Sequence, residues 1–312
     1  MTGRTMLLDS ASLYFRGFYG VPDTVRAPDG TPVNAIRGFL DIIAKLVTDY
    51  GPESLVACWD DDWRPRWRVD LIPSYKAHRV AREVPGGVDV EEVPAELVVQ
   101  VPVIREVLDA LGIAIVGAAQ HEADDVIGTL ATVTPGPVDV VTGDRDLFQL
   151  VDDDRDVRVV YTARGMSNLE VLTDAAIVAK YGIHANQYAD FAVMRGDSSD
   201  GLPGVAGVGE KTAGALLAEY GDLSGIEAAA ADPASAMKPA LRTRFAAAVD
   251  YLSVAPTVVE VVRDLPLGDV DARLRGPDDA QRATLESLGE RWALGGSLDR
   301  CLAALTAAAA RS

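Results

Sequence analysis

The chain has 312 residues, 48% of them hydrophobic and 24% charged, with a mean hydropathy of +0.10. That composition supports a sizeable buried core and excludes a disordered or collagen-like chain. Acids outnumber Lys and Arg 47 to 29, a formal net charge of −18, which argues against a protein held everywhere by phosphate contacts but leaves local basic patches open.

The N-terminus reaches Asp9 after the short apolar run Met6 to Leu8, which leaves no signal-peptide core. No run of about 18 apolar residues is present to span a membrane. Cys58 and Cys301 are far apart on apolar segments, so neither a disulfide nor a zinc site is expected. A reduced, cytoplasmic chain is the expectation.

Apolar β-rich runs predict strands over 5–8, 55–59, 113–116, 138–142 and 157–161. Helix-period apolar residues fill 35–50, 95–111 and 123–131 between them. This alternation predicts an α/β architecture with a mostly parallel central sheet flanked by helices. From about residue 170 the pattern turns helical, over 174–181, 187–194, 210–220 and 238–252. A strand-like run at 258–262, a polar Pro- and Gly-containing stretch and an Ala-rich terminal helix complete the chain. The expected division is an α/β core over 1–170, a helical region over 171–262 and a helical extension over 263–312.

Acids follow the predicted strands repeatedly. Asp9 follows the first and Asp60 the second; Glu122, Asp124 and Asp125 follow the third, at the start of a helix; Asp144 and Asp146 follow the fourth. Asp197 and Asp200 share a face if DSSD is helical. Any one of them is readily explained as a helix cap or a dipole partner. Four clusters at the carboxyl ends of strands, where open α/β sheets bind ligands, point further. Gathered carboxylates repel and resist desolvation unless cations are present. Without His or Cys nearby, the set suits Mg²⁺ or Mn²⁺. Two such ions could activate water and neutralise a leaving oxygen in phosphodiester cleavage.

Residues 63–82 depart from the acidic background: Arg64, Arg66, Arg68, Lys76, Arg79 and Arg82 stand against Asp70 alone. Trp63, Trp67 and Tyr75 interleave with them, a composition suited to stacking unpaired bases while tracking phosphates; a solvated loop with packed tryptophans has the same composition. Pro65, Pro73 and Pro85 with Gly86-Gly87 exclude one regular helix. Further on, Gly204, Gly207 and Gly209 precede a helix starting near Glu210, with Lys211 and Thr212 in its first turn. Glycines let the backbone approach a phosphate, and a helix N-terminus offers free N–H groups. This segment resembles the helix-hairpin-helix element that grips duplex DNA.

Together, LLDSASLYFRGFYG, SYKAHR, EADDVIGTLA, VVTGDRDLFQLV and MRGDSSDGLPGVAGVGEKTA resemble, in order over roughly residues 5–220, the 5′ nuclease (flap endonuclease) family, in its bacterial branch related to the 5′-exonuclease domain of DNA polymerase I. With no polymerase following, the chain looks like a stand-alone member. The resemblance implies a PIN-like core with a basic arch near 63–95 and a helix-hairpin-helix near 197–220. It implies 5′-3′ exonuclease and 5′-flap endonuclease activity with two or three divalent ions, in DNA replication and repair. Asp9, Asp60, Glu122 and Asp124 would serve one metal site, Asp144, Asp146, Asp197 and Asp200 a second, and Asp125 either. Lys76 and Arg79 match the basic pair that contacts the scissile phosphate, Tyr75 a base-stacking position, and Arg16 a phosphate contact. A monovalent cation at the hairpin is a further implication. The expected partner is DNA with 5′ ends, flaps or nicks, with RNA–DNA hybrids left open, bound by a monomer away from membranes.

Two departures stand out. WDDDW places Asp61 and Asp62 where relatives are less acidic, and Gly201 stands where Asn is common. The rival readings are a non-catalytic DNA-binding scaffold, which needs no clustered carboxylates, and a PIN-type ribonuclease, which is usually shorter and lacks the GVAGVGEKT hairpin.

Overall fold

Strands that read as continuous aliphatic runs are covered on both faces. In the computed structural model, which describes residues 3–311, β1 (Thr5–Asp9) is followed by α1 (Ser10–Gly20), α2 (Asn34–Tyr50) and β2 (Ser54–Trp59). A short helix α3 (Arg66–Leu71) leads to a ribbon of β3 (Val80–Arg82) and β4 (Val90–Glu91), then to α4 (Ala95–Val98) and α5 (Val101–Ala110). β5 (Ala114–Gly117), α6 (Ala123–Val133), β6 (Val138–Thr142), β7 (Val157–Tyr161) and β8 (Glu170–Leu172) complete the α/β layer. The six-stranded sheet runs β5-β2-β1-β6-β7-β8, parallel except for the antiparallel edge strand β8.

Side-chain alternation divides the core into two. Leu7, Val56, Cys58 and Val140 face α6 and the helical part of the chain, whereas Met6, Leu8, Ala57 and Val141 face α2 and α5. The helix expected over 95–111 is interrupted. Gln100, fully buried, turns its amide to the start of α2, accepting from Ala35 N at 2.8 Å and donating to Asn34 Oδ1 at 3.0 Å. That satisfies an N–H group of a helix end without a side-chain cap of its own.

The helical part comprises α7 (Asp174–Tyr181), α8 (Tyr188–Arg195), α9 (Glu210–Tyr220), α10 (Leu223–Ala231), α11 (Pro239–Ala247), α12 (Val249–Leu252) and α13 (Ala255–Val259). The stretch expected as one helix over 238–252 is thus divided at Ala248. The expected strand over 258–262 is absent. The chain leaves α13 extended, and Val261 N and Val262 N donate to the side chains of Gln149, at 3.1 Å, and Asp125, at 2.9 Å.

The last helices, α14 (Asp279–Arg291) and α15 (Gly295–Ala309), return to the α/β layer. Leu285, Leu298, Cys301 and Leu305 share the core under α2, and Arg300 and Ser297 bond Asp41. The extension is therefore part of the core's cover. Among the described residues no helix is long and apolar enough to cross a membrane.

Candidate active site

Parallel strands end together, so the residues that follow them meet at one edge of the sheet. Asp9 ends β1, Asp60 follows β2, Glu122 caps α6, and Asp144 lies in the turn after β6. These four, with Asp124, Asp197, Lys76 and Arg79, line a cleft of about 500 Å³. Behind it, Glu122, Asp124, Asp146 and Asp200 line a cavity of about 20 Å³, room for one water-sized guest.

Most of these acids are held by donors but poorly neutralised. Asp9 accepts from Ser12 N at 3.1 Å and Thr142 Oγ1 at 2.7 Å. Burial, with Asp60 and Asp144 nearby, still pushes its carboxyl up to about 7. Asp60 accepts from Ala123 N at 2.7 Å and is raised by burial. Asp124 and Asp146 are raised well above the usual carboxylate range, by burial first and by neighbouring acids next. Asp146 Oδ1 is buried without a hydrogen-bond partner. Asp200 is raised by burial despite Lys76. Asp197 alone of the group is lowered: burial works against it, but hydrogen bonds from Ser199 and the Arg195 guanidinium prevail.

The DSSD segment is a turn rather than a helix. Asp197 N donates to Leu202 O at 3.0 Å, and Leu202 N returns the bond at 2.8 Å. Asp197 therefore reaches the cleft, and Asp200 the cavity behind it, from a loop between α8 and α9, which places the helical part against the α/β edge.

Three basic-run residues expected at DNA are committed inside the protein. Arg68, only 3% exposed, grips both oxygens of Asp125 at 2.7 and 2.9 Å and also donates to Glu122 and to Val258 O. Tyr75 is buried and donates to Glu122 Oε1 at 2.6 Å. Arg64 is buried against Asp89 and two backbone carbonyls. The expected DNA contacts of Arg68, Tyr75 and Arg64 are corrected accordingly.

Asp125 is corrected as well. Oδ1 accepts from Arg68 and Val262 N, Oδ2 from Arg68 and Glu122 N, which uses all of a carboxylate's roughly four acceptor sites. It has none left for an ion.

Lys76 is buried with its ammonium against Glu122 Oε2. Burial would lower its pKa, but Glu122 prevails and raises it. Arg79 donates to Ser199 O at 2.7 Å and Asp200 Oδ1 at 3.1 Å. Trp63 lines the cleft and donates to Asp89 O; Arg66 is exposed and pairs with Asp70. Trp67 donates to Gln120 O. Arg16 projects from α1 beside Gly143 with its Nε buried and unpartnered. Tyr14, Phe15 and Glu91 also line the cleft and were missed from sequence. Their signal was position: Tyr14 and Phe15 lie one helical turn and more beyond Asp9.

The hairpin runs from Gly196 to Gly209, which precedes α9. Gly204, at φ +66°, packs against the backbone of Arg195 and Gly196, where a Cβ would sit 2.6 Å from Gly196 N. Gly207 O accepts from Arg244, and Lys211 is exposed in the first turn of α9. Glu210 lies 3.5 Å from Arg145 and 3.6 Å from Arg195, linking that turn to the cleft.

The donor set is oxygen-only, electrostatically frustrated, and includes one orphaned buried oxygen, which fits hard divalent cations. Among the described residues no three of these side chains are gathered closely enough to form a finished ion site as they stand.

Residues 4–182 match the family model "5′-3′ exonuclease, N-terminal resolvase-like domain", and 183–280 match "5′-3′ exonuclease, C-terminal SAM fold". The chain is 62% identical to a 5′-3′ exonuclease of Streptomyces coelicolor, over 97% of this chain and all of that one. It is 53% identical to one of Mycobacterium tuberculosis, over 86% of each. Against DNA polymerase I of Mycobacterium bovis it is 40% identical over 86% of this chain and 28% of the polymerase. Its fold is similar to that of a bacteriophage T5 flap endonuclease solved with DNA and metal ions, with a TM-score of 0.63, 16% identity and coverage of 98% and 99%. It is also similar to the catalytic core of Rad2 in complex with DNA substrate, with a TM-score of 0.60, 18% identity and coverage of 97% and 92%.

Proposed function

The chain belongs to the 5′-3′ exonuclease family of phosphodiester hydrolases, and from that premise we propose that its cleft cuts DNA at 5′ ends, flaps and nicks with the help of divalent ions. The observation that carries this reading is the meeting of acids from four strand ends and the hairpin loop around one cleft that also holds Lys76 and Arg79.

Asp9, Asp60, Glu122 and Asp124 would hold one ion, with Asp144, Asp146, Asp197 and Asp200 holding a second. Such ions, when bound, supply water activation and charge neutralisation at the leaving oxygen. The protein's own groups do the rest. Lys76 and Arg79 present cations toward the scissile phosphate, where developing charge is stabilised by preplaced donors. Tyr14, Phe15 and Trp63 give the cleft an aromatic wall for a base beside the cut. Arg16, Arg66 and Trp67 lie outside the acids as strand contacts. Gly204, Gly207, Gly209, Lys211 and Thr212 grip the duplex backbone through N–H groups and one lysine charge.

The test is a panel of 5′-labelled flap, nicked, single-stranded and RNA–DNA hybrid substrates, run separately with Mg²⁺ and Mn²⁺. Cleavage from the 5′ side of flapped or nicked DNA is expected. Folded protein that leaves all of them intact with both ions would overturn the reading.

A further inference from the structure

Lys76 adopts an unusual backbone conformation. Its φ is +48°, a left-handed value that costs a residue with a side chain some energy and persists only where surroundings impose it. The imposing surroundings are on the Asp197–Gly201 loop. Lys76 N donates to Asp200 O at 2.9 Å, and two residues earlier Ser74 Oγ donates to Gly201 O at 2.7 Å. The two backbones are in direct contact there. A Cβ on Gly201 would lie 2.0 Å from Ser74 O and 3.4 Å from Lys76 N, and Gly201 itself has φ +72°. Only glycine fits that gap.

We propose that Ser74 and Gly201 are a positioning pair for Lys76, an interlock that clips the base of the basic arch to the hairpin loop and so delivers the Lys76 ammonium to Glu122. Neither residue lines the cleft or the cavity behind it; both act through the backbone of their neighbours. The same contact holds together two segments 127 residues apart in sequence: one bears Lys76, the other Asp197 and Asp200. A hairpin seated on a duplex would thereby fix the lysine as well as the acids. The inference rests on the proposed role of Lys76 in cleavage.

The experiment compares wild type with Gly201→Ala, Ser74→Ala and Ser74→Thr, reading single-turnover flap cleavage, duplex affinity and amide hydrogen exchange over residues 74–79. Gly201→Ala must push the arch base away, and a displacement of about 1 Å is enough for a roughly hundredfold loss of rate. Expected are that loss in kcat with unchanged duplex affinity, faster exchange over 74–79, a smaller loss in Ser74→Ala, and rescue in Ser74→Thr, which keeps the hydroxyl. A purely structural contact would lower the melting temperature and leave kcat per folded molecule at the wild-type value; that outcome overturns the proposal. Unchanged exchange over 74–79 in both Gly201→Ala and Ser74→Ala also overturns it. If Gly201→Ala does not fold, Ser74→Ala and Ser74→Thr decide on the same readouts. A wild-type protein that cuts nothing overturns the functional reading instead, and the exchange measurement still decides the interlock.

Discussion

Arg68 holds both carboxylate oxygens of Asp125, at 2.7 and 2.9 Å, in a site almost closed to water. The pair joins α3 of the basic arch to α6, the helix that carries Asp124, and Val262 N adds the C-terminal part through a 2.9 Å bond to the same carboxylate. A charge pair placed there is a structural joint beneath the site.

Breaking that joint from either side should leave an uncompensated buried charge. Asp125→Ala is expected to destabilise the protein by about 3–5 kcal/mol, read by urea unfolding, while calorimetry on the folded fraction finds divalent-ion affinity preserved. Lost ion affinity in a variant of wild-type stability would return Asp125 to the ligand set.

The ion-free protein should weaken as pH rises. Burial raises the folded Asp9 carboxyl from an ordinary 3.8 to about 7. Between those values the folded form binds more protons than the unfolded one, so stability falls from about pH 4 to pH 7. In EDTA, Asp9→Asn should recover stability at pH 8, by roughly 2–4 kcal/mol, and added Mg²⁺ should flatten the wild-type dependence. A wild-type protein in EDTA that is more stable at pH 8 than at pH 5 would contradict this.

Lys76→Ala and Arg79→Ala should slow single-turnover cleavage by about 10²–10³-fold, the range for removal of one preplaced donor. Duplex affinity should change far less. Equal losses in rate and affinity would make these residues simple phosphate anchors.

Lys211→Ala should weaken duplex binding across all sequences and reduce the salt dependence of log K by about one unit of slope. Its rate at saturating substrate should match wild type. An unchanged salt slope would remove Lys211 from the duplex interface.

Much of this architecture is legible in the sequence, for reasons the residues make plain. Val138–Thr142 and Val157–Tyr161 are short, mostly aliphatic runs whose charged residues, Asp139 and Arg158, pair with each other across the ladder. The acids that follow strands had to meet because parallel strands share one carboxyl edge. Composition misled where a long-range partner decided the outcome. Arg64, Arg68 and Tyr75 have the composition of a strand-tracking surface, but Asp89, Asp125 and Glu122 draw them inward. The run 258–262 has the β-branched content of a strand, yet Val258 and Val259 close α13, and Val261 N and Val262 N go to the side chains of Gln149 and Asp125. In the sequence Gly201 is visible only as a departure from a common Asn. Its importance depends on Ser74, 127 residues away, which no local pattern reveals.

If the carboxylates around this cleft work by holding divalent ions, the loss of one charge at Asp124, which lines both the cleft and the cavity behind it, is decisive. The measurement is single-turnover cleavage of a 5′-flap duplex by Asp124→Asn beside wild type, with duplex affinity measured on the same preparations. Cleavage is expected to be abolished while DNA binding is kept or improved, since one charge that repels phosphate has gone. Wild-type cleavage by a folded Asp124→Asn protein would contradict it.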